Sequence, residues 1–326
     1  MSARQKILRA LTDGESHTTA EIASVLGLSP VTVRRHVRTL LSLGLGIHRV
    51  PPHAYRSCAL FRPLDRRSIV NHLNTRAATV AQDLHLHEEV DSTNLCLLRK
   101  AKQGQCFSGT ACIAEAQHAG RGRRGRSWVA TPYCNVMLSM AWWLDDRVDT
   151  LAGLSLAAGV AVARGLADYG IAGVGLKWPN DILWQQRKLG GVLVEVHRRK
   201  GMGVVAIVGV GLNGFLAEQD AAGIGQEWTD LRRITGKAIN RDRLVALIIK
   251  QLYEMFERFQ QTGFAQFRAD WEQLHVSQGR RVRLLSKEQT VVGCALGVDD
   301  NGGLRIMNDD RRIQVFQSGE ISVRGD

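Results

Sequence analysis

Along the 326 residues the spacing of apolar positions shifts from helical, to mixed, to strand-like. Ile7, Leu8 and Leu11 share one helical face, which Asp13-Gly14 breaks. Thr18 with Glu21 three residues on fits a capping box for a second helix through Ile22 and Leu26, and Gly27 stands where a helix-ending glycine belongs. Ser29 as N-cap and Pro30 at the first helical position open a third helix through Val33, Val37, Leu40 and Leu41. Residues 48–55 stand where a hairpin is expected, its pairing limited by Pro51 and Pro52, and residues 61–68 read as a linker. From Glu88 the pattern becomes mixed α/β. A helix through Leu95, Leu98 and Ala101 precedes strands at 111–116 and 135–144, then an alanine-rich buried helix at 151–169 and apolar strands at 189–196 and 204–210. Helices at 241–260 and 264–274 follow. Val282, Leu284, Val291, Leu296, Leu304 and Ile306, with turns at 300–303 and 308–310, predict a small closed β-barrel at the C-terminus.

A hydrophobic content of 44% with only six prolines predicts globular packing throughout, and a formal net charge of +12 points to a polyanionic partner. Near the N-terminus Arg4, Lys6, Arg9, Arg34, Arg35, Arg38, Arg49 and Arg56 stand against Asp13, Glu15 and Glu21 alone. Helix, glycine turn and helix, with Arg34, Arg35, His36 and Arg38 projecting from the last, resemble a winged helix-turn-helix whose recognition helix enters the major groove. Thr19, Ser29, Thr32, Arg34, Arg35 and Arg38 are the expected DNA-facing set; a protein-interaction helical domain would share the same caps and apolar positions. Cys58, Cys96, Cys106, Cys112, Cys134 and Cys294 show no C-x-x-C pair and no histidine at zinc spacing, so neither a disulfide framework nor a structural metal is indicated. No signal-peptide core and no run of about 18 apolar residues occur, so a cytoplasmic protein without a membrane partner is expected.

Residues 120–128, Gly-Arg-Gly-Arg-Arg-Gly-Arg-Ser-Trp, carry the most concentrated chemistry. Gly120, Gly122 and Gly125 free the backbone, and Arg121, Arg123, Arg124 and Arg126 offer guanidinium forks suited to phosphate or carboxylate oxygens. The glycines satisfy G-x-G-x-x-G, but Ser-Trp-Val-Ala-Thr-Pro follows instead of an apolar helix, which argues against a dinucleotide site. An exposed basic turn is the plain alternative; a Walker loop is absent. Asp91-Ser92-Thr93-Asn94 reads as an N-cap or as a polar ligand site at a helix start. Lys177-Trp178-Pro179-Asn180-Asp181 is a turn crowded with functional groups, Arg187-Lys188 precedes Gly190 and Gly191, and Gly211-Leu212-Asn213 ends a buried strand.

In this order these segments resemble the bacterial biotin protein ligases, and the N-terminal helices make the chain similar to the bifunctional kind, the biotin operon repressors. The resemblance covers essentially the whole chain. It implies a multidomain α+β protein: a winged helix-turn-helix at 1–62, a mixed α/β biotin/lipoate ligase-like catalytic domain at 63–275 and a small SH3-like β-barrel at 276–326. It implies that biotin and ATP, with Mg2+ on the triphosphate, give biotinyl-5′-adenylate, and that a lysine of the biotin carboxyl carrier domain of acetyl-CoA carboxylase then takes the biotinyl group. Lys188 and Arg123 are the expected catalytic residues. Ser92, Thr93, Asn94, Gln117, Arg121, Gly122, Arg123 and Lys188 are expected around biotin, and Gly120, Gly125, Trp128, Asn213, Lys177, Asn180 and Asp181 around the nucleotide. Operator DNA and a homodimer are further implied partners. Pro51-Pro52-His53-Ala54 replaces the glycine-rich wing usual in repressors of this kind, which bears on DNA contact more than on catalysis. A ligand-sensing regulator without catalysis and a ligase for another acid such as lipoate are the remaining readings.

Overall fold

The computed structural model describes residues 2–43, 45–57, 62–73, 77, 82–144, 151–199, 203–222, 224–285, 290–317 and 322–325; Cys58 and the first residue of the expected linker at 61–68 lie outside them. The N-terminal unit is built from α1 (Ala3–Ala10), β1 (His17–Thr18), α2 (Thr19–Leu26), α3 (Pro30–Ser42), β2 (Ile47–Val50) and β3 (Ala54–Ser57). Thr18 and Glu21 close their capping box, Gly27 takes the left-handed conformation at φ 63°, and the Ser29 hydroxyl accepts from the Thr32 amide. The hairpin β2–β3 pairs fully, from Ile47 opposite Ser57 to Val50 opposite Ala54. Pro51 and Pro52 sit in its turn, where no ladder hydrogen bond is asked of them, so they do not limit the pairing.

The linker expected at 61–68 is instead partly structured. Asp65 caps α4 (Arg66–Asn71), and Leu64 is buried with its amide donating to the Glu115 carboxylate. Glu115 and Arg241, 0% and 6% exposed, form an ion pair at 2.7 Å, and Arg241 also donates to the Arg62 carbonyl. On the other side, Arg4 and the Tyr133 hydroxyl both donate to Glu88, and Tyr133 and Cys134 pack into the core of the N-terminal unit.

The central unit contains β4 (Leu84–Val90), α5 (Thr93–Lys102), β5 (Ala111–Gln117), β6 (Val136–Leu144), α6 (Leu154–Tyr169), β7 (Val174–Lys177), β8 (Asp181–Trp184), β9 (Arg187–Arg199), β10 (Gly203–Leu212), α7 (Glu218–Ala221), α8 (Leu231–Thr235), α9 (Arg241–Thr262) and α10 (Arg268–Leu274). Its seven strands run in the order β4-β5-β6-β10-β9-β8-β7. β4 and β5 are parallel, with α5 as their crossover, and the remaining neighbours are antiparallel. The buried face of α5 is Thr93, Asn94, Leu97 and Ala101 rather than Leu95 and Leu98, and it covers Cys112, Ala141, Val205 and Ile207. α6 and α9 belong to the main core, which continues into the C-terminal sheet through Val282, Leu284, Ala295 and Leu304. That sheet is antiparallel, with β11 (Arg281–Leu285), β12 (Thr290–Val298), β13 (Leu304–Met307), β14 (Ile313–Phe316) and β15 (Ser322–Gly325) in the order β14-β13-β12-β11-β15. Trp178 Nε1 donates to the Gly302 carbonyl at 3.0 Å, joining the turn at 177–181 to the turn at 300–303.

Candidate active site

A cavity of about 580 Å³ opens where the start of α5, the arginine loop, the β7–β8 turn and the ends of β9 and β10 converge. Its floor at one end is a hydrogen-bonded chain. The Thr93 amide and hydroxyl donate to Gln117 Oε1 at 2.7 and 3.1 Å, and Ser139 Oγ lies 2.7 Å from Thr93 Oγ1 and 2.6 Å from Asn94 Oδ1. Asn94 Nδ2 donates to Glu195 Oε2 and to the Leu193 carbonyl. Asn94 is thereby engaged on both its oxygen and its nitrogen, so it shapes the floor rather than offering itself freely to a ligand. Gly209 leaves the room, since a methyl there would overlap Asn94 Oδ1. Ser92 occupies the N-cap position of α5 without the cap bond a plain N-cap would make.

The arginine loop folds into a short hairpin: Trp128 N donates to the Gly120 carbonyl, Gly122 N to Arg126, and Arg121 bridges to Ser127. Arg124 and Gly125 both turn through positive φ, at 57° and 73°. Gly120 and Gly125, expected at the nucleotide, do not line the cavity. Gly125 serves the turn, and Gly120 packs so closely that a Cβ would meet the Trp128 carbonyl at 3.0 Å. Every other expected biotin or nucleotide residue lines the cavity: Ser92, Thr93, Asn94, Gln117, Arg121, Gly122, Arg123, Trp128, Lys177, Asn180, Asp181, Lys188 and Asn213.

The electrostatics are one-sided. Arg121, Arg123, Arg124, Arg126, Lys177 and Lys188 line the cavity, and among the described lining residues Asp181 is the only carboxylate. Lys188 Nζ lies 2.7 Å from Asp181 Oδ1, both about one-fifth exposed. Arg123 Nη1 donates to Asn180 Oδ1 at 3.3 Å, and Arg121 pairs with Glu195 at 2.6 Å. Burial holds the Arg123 guanidinium below its ordinary pKa, Arg124 adds to the effect, and Asp181 opposes it. A charge so desolvated and so weakly countered is stabilised by an incoming anion. The arrangement can therefore hold a polyanion against an organic acid, with the glycine strand backbone as a wall.

Sequence reasoning missed the segment at 224–229. Ile224, Gln226 and Trp228 line the cavity, Lys188 N donates to the Glu227 carbonyl, and Thr229 N donates back to Lys188 O. Asn213 Nδ2 ties down the same segment through the Thr229 carbonyl, and Arg233 stacks 4.0 Å over the Trp228 ring. Trp228, an aromatic directly after Gln226 and Glu227, was the available signal.

In the N-terminal unit Arg34, Arg35 and Arg38 are exposed along α3, and Ser29 caps its start by accepting from the Thr32 amide. Thr19 departs from the expected DNA-facing set: as the first residue of α2 it is 8% exposed and packs inward. The exposed Val31 adds an apolar contact point on the same helix start.

The chain is similar to known proteins along most of its length. Profiles of the Biotin/lipoate A/B protein ligase family, the Biotin protein ligase C terminal domain and a Helix-turn-helix domain match residues 86–213, 278–324 and 2–50. The chain is 34% identical over 98% of its length to the bifunctional ligase/repressor BirA of Escherichia coli K12, covering 96% of that protein. It is also 34% identical, over 80% of its length, to the biotin--[acetyl-CoA-carboxylase] ligase of Mycobacterium tuberculosis, covering 97% of it. Among solved structures, biotin protein ligase from Aquifex aeolicus in complex with biotin and ATP superposes with a TM-score of 0.63 at 30% identity, covering 75% of this chain and 100% of that one.

Proposed function

The chain belongs to the biotin protein ligase family, and on that premise we propose how its cavity works. It activates biotin with ATP to biotinyl-5′-adenylate and passes the biotinyl group to a lysine of the biotin carboxyl carrier domain of acetyl-CoA carboxylase. The observation that carries this reading is the meeting, in one cavity, of a neutral polar floor (Ser92, Thr93, Gln117) with a cluster of cations and, among the described lining residues, a single carboxylate.

In the first step a biotin carboxylate oxygen attacks the α-phosphorus and pyrophosphate leaves. Two anions must approach, so the repulsion has to be offset by charge already in place. Arg121, Arg123 and Lys188 supply it, the floor residues hold the ureido ring, and Trp128 with Asn213 flanks the adenine. Asp181, the one carboxylate among the described lining residues and paired with Lys188 at 2.7 Å, would be the side chain to hold a Mg2+ ion arriving on the triphosphate, and such an ion would supply charge neutralisation on the leaving pyrophosphate. In the second step the carrier amine attacks the acyl carbon, AMP leaves and the amine gives up a proton. An acyl adenylate is prone to hydrolysis, so the hairpin at 120–128, with Arg123 reaching to Asn180, retains it until the carrier arrives.

The same chain is a biotin-responsive repressor, with α3 as the helix that reads operator DNA. The fully paired hairpin β2–β3 supports the wing despite its prolines. We take the units as 1–62, 63–275 and 276–326, and the protein as a cytoplasmic one that dimerises when the adenylate is bound; no helix among the described residues is long and apolar enough to cross a membrane. ATP–pyrophosphate exchange with biotin and with lipoate is the test. Exchange that requires biotin supports the reading; exchange with lipoate alone, or none with either acid, overturns it.

A further inference from the structure

Three potential metal ligands that the sequence keeps apart meet beneath α5. His87 comes from β4, Cys96 from α5 and Cys112 from β5, and their ligand atoms all lie within 4.8 Å of one another. Cys96 Sγ is 3.9 Å from His87 Nε2. Zinc with sulfur at about 2.3 Å and nitrogen at about 2.0 Å in a tetrahedron places neighbouring ligand atoms about 3.5 to 3.8 Å apart, so the cluster is close to that size as it stands. We propose that His87, Cys96 and Cys112 form a Zn2+ site, separate from the substrate cavity and with its fourth position open to solvent.

The donor set suits this ion. Two thiolates and an imidazole select a soft or borderline cation over Mg2+, and two thiolates neutralise a divalent charge without any further acid. His87 and Cys96 are half-buried, which leaves a way in, while Cys112 is buried and holds the ion from below. His85, two residues before His87, stacks on it at 6.4 Å between ring centres and is held by Asp83 at 2.6 Å, so the neighbouring ring is fixed. The three ligands have no zinc-like spacing along the chain because each lies on a different element. Its position gives it a role: α5 begins with Thr93 and Asn94, which build the cavity floor, and β5 ends with Gln117. An ion bridging α5 to β4 and β5 pins that floor from outside it.

The test uses the untagged full-length chain, reduced, stripped with a chelator and returned to Zn2+ alone. Elemental analysis is expected to give one zinc per chain, and Co2+ in its place should show thiolate-to-cobalt charge transfer and the visible bands of a tetrahedral field. His87→Gln and Cys96→Ser should each weaken Zn2+ binding by more than about 100-fold, since losing even an outer-shell partner of a metal ligand costs about 10- to 100-fold. Both side chains are partly exposed, so these variants fold even where Cys112→Ser does not. Absence of stoichiometric zinc, wild-type Zn2+ affinity in either variant, an octahedral cobalt spectrum, or a Cys96–Cys112 disulfide in the protein as purified would each overturn the proposal.

Discussion

Replacing Gly211 with alanine isolates the nucleotide half of the cavity. Gly211 lies in β10, paired with Met137 of β6 on one side and Gly191 of β9 on the other, so its extended backbone accepts alanine without conformational strain. The new methyl would stand 2.6 Å from Cε2 and Cζ2 of Trp128 where ordinary contact begins at 3.4 Å, so about 0.8 Å must be found. A strand paired on both edges in the middle of a seven-stranded sheet yields less readily than an indole on a loop, so Trp128 moves. If Trp128 flanks adenine, the lost stacking is worth about 1 to 3 kcal/mol, or roughly a 5- to 150-fold rise in the KM for ATP. Biotin-dependent ATP–pyrophosphate exchange with ATP varied at saturating biotin measures it, with the KM for biotin expected to stay near wild type. Gly209→Ala is the matched control: its methyl overlaps Asn94, so it should impair biotin and spare ATP. An unchanged KM for ATP in a folded Gly211→Ala protein, or an equal rise for both substrates, refutes the assignment of Trp128 to the nucleotide.

Other outcomes follow from individual contacts. Lys188→Ala removes one charge-assisted contact to an oxyanion, worth about 1.5 to 3 kcal/mol, so exchange should fall roughly 10- to 150-fold with folding intact; wild-type exchange would take Lys188 out of the site. Arg123→Gly should loosen retention of the adenylate more than its synthesis, read as biotin appearing on lysines of an added bystander protein, and an unlabelled bystander alongside normal exchange counts against the loop as a retaining device. Arg35→Ala should weaken operator binding and lower its salt slope by about one while ligation is unaffected; a gel shift that is insensitive to salt sinks the DNA-reading role of α3. Burial holds the His275 imidazole down to about 4 from 6.5, with Gln278 and Glu272 opposing. The unfolded chain therefore binds a proton that the folded one refuses, so this contribution is fully present above 6.5 and is lost as pH falls from there towards 4, by about 3 kcal/mol at most. Thermal melts of wild type and His275→Gln across that window should diverge, and parallel curves would exclude the effect.

The features legible along the chain are those that local physics controls. Thr18 with Glu21, Gly27, and Ser29 with Pro30 mark helix ends through bonds between residues three or four apart, and these contacts exist whatever the rest of the chain does. The apolar runs at 111–116 and 135–144 and the helical period at 241–260 declare buried strands and a one-sided helix, and the structure forms them at Ala111–Gln117, Val136–Leu144 and Arg241–Thr262. The chemistry of the cavity was legible as residue types, because a loop of alternating glycine and arginine has few other uses. Which of these groups meet is set by the fold. The order of β10 between β6 and β9 brings Gly211 beneath Trp128 and Gly209 beneath Asn94 across more than eighty intervening residues, and no local pattern encodes that register. Gly120 and Gly125 turned out to shape their loop because close packing and positive φ are properties of the folded backbone. The segment at 224–229 acquires its place only by bonding to Lys188 and Asn213, and the linker at 62–65 only by meeting the buried pair Glu115–Arg241. His87, Cys96 and Cys112 carry no recognisable spacing, because a parallel strand pair and its crossover helix can bring together residues at any separation the crossover allows.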